Sequence, residues 1–166
     1  MIFGKEQEPM LMLSKKFVTN NMSPHNDPIA IAKSGDTVCF ETRDCYDDRL
    51  HGDGSVTEPE KALENPATGP LYIEGAAPGD VLKVHIDRIT INPTGLMRAS
   101  VSGGAFNDLV EYRKVRQFDT SGDMVQFNDK LRFPIDTMIG VIGTAPATDT
   151  VMTHTPGSHG GNMDCN

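Results

Sequence analysis

A histidine, an amide and a carboxylate fall close together at His159, Asn162 and Asp164, with Gly160 and Gly161 between them. An imidazole can ligate a metal or carry a proton, an amide can donate to a carbonyl oxygen or oxyanion, and a carboxylate can orient water. The glycines let the backbone bend sharply and approach a ligand closely. The plain alternative is a Gly-rich turn with solvated polar residues, because His-x-x-Asn-x-Asp is too short to define a metal site by itself. Other residues with chemical capacity are Asp44 and Glu41 around one strand-like run and His25 in Ser23-Pro24-His25-Asn26-Asp27-Pro28. His25 reads equally well as a turn residue. His51 and His154 have no legible partner and read as surface residues.

Composition bounds what such residues can serve. The chain has 166 residues, 37% hydrophobic and 23% charged, which suits one soluble β-rich domain with a core. Sixteen glycines and eleven prolines, with no tryptophan, imply many turns and short elements. A net charge of −8 argues against nucleic acid or an anionic membrane surface as partner, since either needs clustered Lys and Arg. The dense basic stretch Arg113-Lys114-Val115-Arg116 reads as the solvated face of a strand. The N-terminus carries acidic residues where an export signal would be basic and then apolar, and no stretch is apolar enough to span a bilayer. Cys39, Cys45 and Cys165 form no Cys-x-x-Cys pair, which fits reduced thiols and a cytoplasmic location.

The elements that position these residues are expected to be short antiparallel strands in a sandwich-like all-β domain covering 1–166, with long loops and little helix. Ser34-Gly35-Asp36, Pro78-Gly79-Asp80 and Ser121-Gly122-Asp123 each read as a tight turn feeding a strand. The first feeds residues 38–44, with Val38 and Phe40 on one face, Cys39, Glu41 and Arg43 on the other, and Asp44 at the end. The second feeds residues 82–87, whose polar face carries Lys83, a solvent-facing His85 and Asp87. Ile89 and Ile91 follow on the opposite parity, which implies a bulge or bend. Further strands are expected around residues 110–118 and 124–127. Another, at 138–143, is apolar on both faces and hence central. Only residues 58–65 read as helix. The loops at 47–55 and 92–108 are long and polar, as binding elements or mobile segments often are.

Four blocks, in order, resemble the acetamidase/formamidase family of small-amide hydrolases. They are Lys33-Ser34-Gly35-Asp36-Thr37-Val38 with Phe40-Glu41-Thr42-Arg43-Asp44-Cys45, the stretch from Asn65-Pro66-Ala67-Thr68-Gly69-Pro70 through Pro78-Gly79-Asp80-Val81-Leu82, Met138-Ile139-Gly140-Val141-Ile142-Gly143, and Thr155-Pro156-Gly157-Ser158-His159-Gly160-Gly161-Asn162-Met163-Asp164. The resemblance implies an all-β, sandwich-like fold and metal-assisted hydrolysis of formamide- or acetamide-like substrates to a carboxylate and ammonia. Thr137 departs from the proline usual in the family, and residues 96–108 match poorly. Family members are about twice as long, so the resemblance is to an N-terminal portion.

An unactivated amide needs an activated nucleophile, oxyanion stabilisation and an acid for departing ammonia. By the resemblance, a divalent metal, Zn²⁺ foremost, supplies the first two, with His159, Asp44 and His25 as candidate ligands. Asp44 and Asp164 are candidate catalytic carboxylates, Asn162 a donor to the substrate oxygen, and Glu41 a lower-ranked base. In an extended strand Glu41 and Asp44 point to opposite faces. A Cys45 nucleophile ranks low, because the neighbouring carboxylate disfavours the thiolate and no His or Lys is placed to activate it. The site is expected to be incomplete in this chain, so that a homo-oligomer or a second chain supplies the missing half. The other reading is a non-catalytic β-domain that binds a small polar ligand, a metal or a partner chain.

Overall fold

Two tight turns show how the sequence sets the chain into strands. At residues 33–36 the Asp36 amide donates to the Lys33 carbonyl (3.1 Å), the Lys33 amide donates to the Asp36 carboxylate (2.7 Å), and Gly35 takes a φ of 94°. Residues 77–80 repeat the construction, with distances of 3.0 and 2.8 Å and a φ of 98° at Gly79. Glycine accepts this left-handed backbone without strain, and the Asp side chain closes the turn. The third Gly-Asp sequence is built differently, since both the amide and the hydroxyl of Ser121 donate to Asp119 (2.9 and 2.6 Å).

The computed structural model describes residues 10–58, 64–101 and 107–163. The chain divides into two compact units, one made of Met1–Cys45, Leu63–Lys83 and Gly140–Asn166, the other of Tyr46–Ala62 and Val84–Ile139. The first unit begins with β1 (Leu11–Leu13), β2 (Val18–Thr19), β3 (Asn21–Met22) and β4 (Ala30–Ala32). It continues with β5 (Val38–Phe40), β6 (Ala67–Thr68) and β7 (Leu71–Ile73). The second unit holds β8 (Thr94–Ala99), a single 3₁₀ turn at Asn107–Leu109, β9 (Lys114–Asp119), β10 (Met124–Asn128) and β11 (Leu131–Pro134). The chain then returns to the first unit with β12 (Val141–Gly143), β13 (Val151–Met152) and β14 (Gly160–Asn162).

Every sheet among the described residues has two strands. In the first unit β1 pairs β5 and β4 pairs β7 in parallel, while β2–β6, β3–β13 and β12–β14 are antiparallel. In the second, β8 and β9 run antiparallel along their whole length, and β10–β11 form a hairpin with a bulge between Gln126 and Asn128. The architecture is all-β, with short strands, long loops and little helix, as the sequence implies. The expectation of purely antiparallel pairing is corrected by β1–β5 and β4–β7. Each of these pairs is separated by enough chain for the crossover a parallel pair requires.

Burial is thin and local. Leu13 and Ala32 are the buried apolar side chains of the first unit, Leu50 and Phe118 those of the second, among the described residues. Thr153 is fully buried and donates through both its amide and its hydroxyl to the Asn20 carbonyl (2.9 and 3.1 Å). In the second unit Phe118 stacks on Phe127 (5.9 Å between centroids), and Phe127 meets Phe133 edge-on (6.1 Å). The Arg116 guanidinium lies 5.4 Å from both the Phe118 and Phe127 rings, so this basic stretch does more than face water. Residues 47–55 are likewise ordered. Asp47 and Asp48 hold positive φ values of 63° and 55°, Asp47 faces Arg49 (3.8 Å), and Leu50 bridges Val56.

Four further expectations change, the first being the loop at 92–108, which holds β8 (Thr94–Ala99) paired with β9. Residues 82–87 enter no ladder, although His85 is solvent-facing as expected and meets Asp87 at 3.4 Å. The 138–143 run is not central: only Val141–Gly143 is strand, it pairs with β14 alone, and Met138 and Ile142 are exposed. Phe40, placed on a buried face by its parity, is exposed because β5 has one neighbour and that face nothing against it. The helix expected over 58–65 falls mostly on 59–63, outside the described residues. No helix among the described residues is long and apolar enough to cross a membrane.

Leu13→Ala removes the one large apolar side chain that is fully enclosed among the described residues, and is expected to cost about 2–5 kcal/mol of stability in urea unfolding. The Ser121 hydroxyl, and then its amide, hold the Asp119 carboxyl below the ordinary 3.8. A lowered folded-state pKa contributes stability that is present above the unfolded value and is lost as pH falls through the folded one. Ser121→Ala is therefore expected to raise the Asp119 titration midpoint in carboxyl-resolved NMR, and an unmoved midpoint would contradict this.

Candidate functional site

The Gly-rich terminus forms a tight hairpin around His159. Gly157 and Gly160 exchange amide-to-carbonyl hydrogen bonds of 3.0 Å each, so Ser158 and His159 occupy the tip. The hairpin is tied down on its far side by the Thr144 amide, which donates to the His159 carbonyl (2.8 Å), and by the β12–β14 ladder, in which Val141 lies opposite Asn162. Gly160 and Gly161 adopt φ values of 101° and 91°. Close approach fixes their identity as firmly as conformation does. A Cβ at Gly160 would meet the Ile142 carbonyl, and one at Gly161 would meet the Thr155 carbonyl and stand 3.1 Å from His159 Nε2. A Cβ at Gly157 would stand 2.9 Å from His159 Nδ1. The imidazole therefore lies against a groove of bare backbone that only glycines leave open.

His159 Nε2 is buried and makes no hydrogen bond, whereas the residue as a whole is half-exposed. A buried polar nitrogen without a partner costs about 1–3 kcal/mol, so a nitrogen kept in that position is suited to a ligand. Of the other candidates, Asn162 is half-buried one strand position beyond the glycine pair. Asp164 lies outside the described residues.

His25 is exposed in a turn set by Ser23, whose hydroxyl accepts from the His25 amide (3.2 Å) and from the Thr150 hydroxyl (2.8 Å). That turn follows β3, which pairs with β13, and a Cβ at Gly143 of β12 would stand 3.0 Å from the Met22 sulfur of β3. β3, which precedes the His25 turn, thus meets β12, which pairs with the strand after His159. Beside His25, the Asn26 amide donates to the Asn21 carbonyl and side chain (3.1 Å each) and lines an open cleft of about 380 Å³ with Thr19, Asp27 and Pro70.

Asp44 is exposed just beyond β5. Glu41 has a structural position: its amide donates to the Leu13 carbonyl (2.9 Å), its carboxylate accepts from the Lys15 amide (3.3 Å), and its carbonyl accepts from the Thr68 hydroxyl (2.6 Å). Cys39 and Cys45 are not joined in a disulfide. Among the described residues no group of three or more His, Cys, Asp or Glu side chains could hold a metal. His159 can give one donor through Nε2, and the described residues do not complete the set.

Sequence reasoning missed the supports of the hairpin. Thr155, Met22 and the buried Thr153–Asn20 pair carry no motif, and the sole available signal was the second glycine, which is unnecessary for a turn alone.

These features define an all-β protein with a glycine-lined histidine hairpin, and comparison with known proteins gives its kinship. The acetamidase/formamidase family model matches residues 6–164, and the chain belongs to that family. It is 41% identical to an acetamidase from Bacillus halodurans, with a TM-score of 0.82 over 93% of this chain and 52% of that one. It is 38% identical to a predicted acetamidase/formamidase from Thermoanaerobacter tengcongensis, with a TM-score of 0.86 and the same coverage. The chain thus spans about half the length of these solved structures. No curated protein sequence matches it.

Gly161→Ala forces a methyl group between the Thr155 carbonyl and the His159 ring in a left-handed backbone, so a loss of about 1–3 kcal/mol is expected. Chemical denaturation measures the loss. The His159 ring resonances should shift in the same variant, and unchanged chemical shifts would show that the ring does not rest on this groove.

Proposed function

We propose that this chain is one part of an enzyme that hydrolyses short linear amides, such as formamide or acetamide, to a carboxylate and ammonia. The observation that carries the reading is the buried, unpartnered Nε2 of His159, held on a glycine groove within the residues that the family model matches. The reaction adds water across the amide C–N bond: the carbonyl carbon gains oxygen, and the nitrogen leaves as ammonia after protonation. His159 Nε2 would be one ligand of a divalent metal, Zn²⁺ foremost, which when bound would lower the pKa of water. Asn162 donates to the substrate oxygen, and Asp44 and Asp164 serve as water-orienting carboxylates or ligands, with His25 a further ligand. The remaining donors come from polypeptide that corresponds to the half of the related acetamidases not spanned here, supplied by a second chain or within an oligomer. The reading of a cytoplasmic placement rests on Cys39 and Cys45 being thiols rather than partners in a disulfide.

The test is ammonia release from formamide and acetamide by this chain together with the complementary half of the Bacillus halodurans acetamidase, with and without added Zn²⁺. Turnover is expected, reduced about 10²-fold or more by His159→Ala. Metal uptake, measured by elemental analysis, should fall in the same variant. A complex that binds the amide or metal but releases no ammonia would instead support the non-catalytic binding domain.

A further inference from the structure

Resting on the reading that further polypeptide completes this chain, we propose that residues 84–91 are the edge on which it docks. There the segment accepts a β-strand from the half of the acetamidase fold that this chain does not span. The segment alternates as a strand, with Val84 and Ile86 on one side and His85 and Asp87 on the other. It follows the turn at 77–80, whose construction matches the turn at 33–36 that leads into β5. Yet β5 finds β1 as partner, whereas residues 84–91 enter no ladder and make no backbone hydrogen bond among the described residues.

Val84 and Ile86 are 52% and 50% exposed. The segment is held at its far end, where the Thr120 hydroxyl and amide donate to the Asn92 and Pro93 carbonyls (2.6 and 2.9 Å), so it is presented rather than loose. It lacks proline and lysine, and its charged residues Asp87 and Arg88 stand beside the exposed Val84 and Ile86. Within this unit β8 to β11 already pair with one another. The occupant is argued from length: the acetamidases that share the fold carry about as much chain again, since this chain covers 52% of each. Strand addition satisfies the open amides and carbonyls through main-chain hydrogen bonds, and the exposed Val84 and Ile86 give the added strand its apolar contact.

Hydrogen exchange tests the proposal. This chain is measured alone at two concentrations, and again after co-expression and co-purification with the complementary half of the Bacillus halodurans acetamidase. Amides at 84–91 are expected to exchange freely alone and about tenfold or more slowly in the complex. Ile86→Pro, which adds a ring and removes a donor, should abolish both co-purification and protection, while Ile86→Thr, which keeps the donor, should retain them. Co-purification without protection of 84–91 overturns the proposal, as does failure of the halves to associate. Protection that rises with this chain's own concentration overturns it in favour of a second copy. The two readings separate through ammonia release. An active complex with 84–91 unprotected sinks the docking edge alone, and an inactive complex with 84–91 protected sinks the amidase reading alone.

Discussion

A β-strand with one neighbour leaves a row of backbone groups unpaired, and every described strand of this chain is in that position. A two-stranded ladder is marginal in water by itself and needs a third strand or a packed face to persist. Here the packed faces are small: Leu13 and Ala32 anchor one unit, Leu50 and Phe118 the other, while Ile31, Phe40, Tyr72 and Phe133 remain exposed. What holds the short ladders in register is therefore mostly polar. Asp36 and Asp80 close their own turns, Thr153 ties β13 to Asn20, and Glu41 extends the β1–β5 pairing by one residue.

The His159 hairpin depends on the same economy. Its backbone is satisfied by Gly157–Gly160 pairing and by Thr144, so no side chain is needed to hold it. The side chain is left free for another task, and the glycines that flank it admit the ring against backbone. A hairpin tip without a function has no reason to place an imidazole nitrogen where water cannot reach it, because the unmade hydrogen bond is a cost that solvent exposure would remove. Glu41 shows the contrast. Its carboxylate, amide and carbonyl are all used by the surrounding backbone and by Thr68, so chemistry on a substrate would compete with structure there.

Much of this was legible in the sequence where a local rule governs. Gly-Asp turns, the all-β class and the exposure of His85 follow from glycine's conformational freedom and from side-chain parity, which need no knowledge of distant residues. The misreadings have one physical origin. Parity says which side chains share a face but not whether anything covers that face, so Phe40 and the 138–143 run were read as more buried than they are. Pairing direction failed likewise, because β1–β5 and β4–β7 are set by which distant segment arrives alongside. At the candidate site, residue type alone singled out His159 and Asn162. The Thr155 carbonyl against Gly161 and the Met22 sulfur near Gly143 exist only once the chain has folded.

The open edge at residues 84–91 belongs to the second unit and the orphaned nitrogen of His159 to the first. A self-sufficient binding domain of this size would be expected to close its edges with bulges, charges or short flanking strands and to keep its apolar residues under cover. Residues 84–91 carry His85, Asp87 and Arg88 but leave Val84 and Ile86 exposed and enter no ladder, and at His159 the chain holds a buried nitrogen that nothing described satisfies. Each defect alone has a local remedy, since one substitution could blunt the edge and another could solvate the ring. The chain matches its relatives along 93% of its own length but 52% of theirs, and each feature separately fits the proposal that further polypeptide completes the fold.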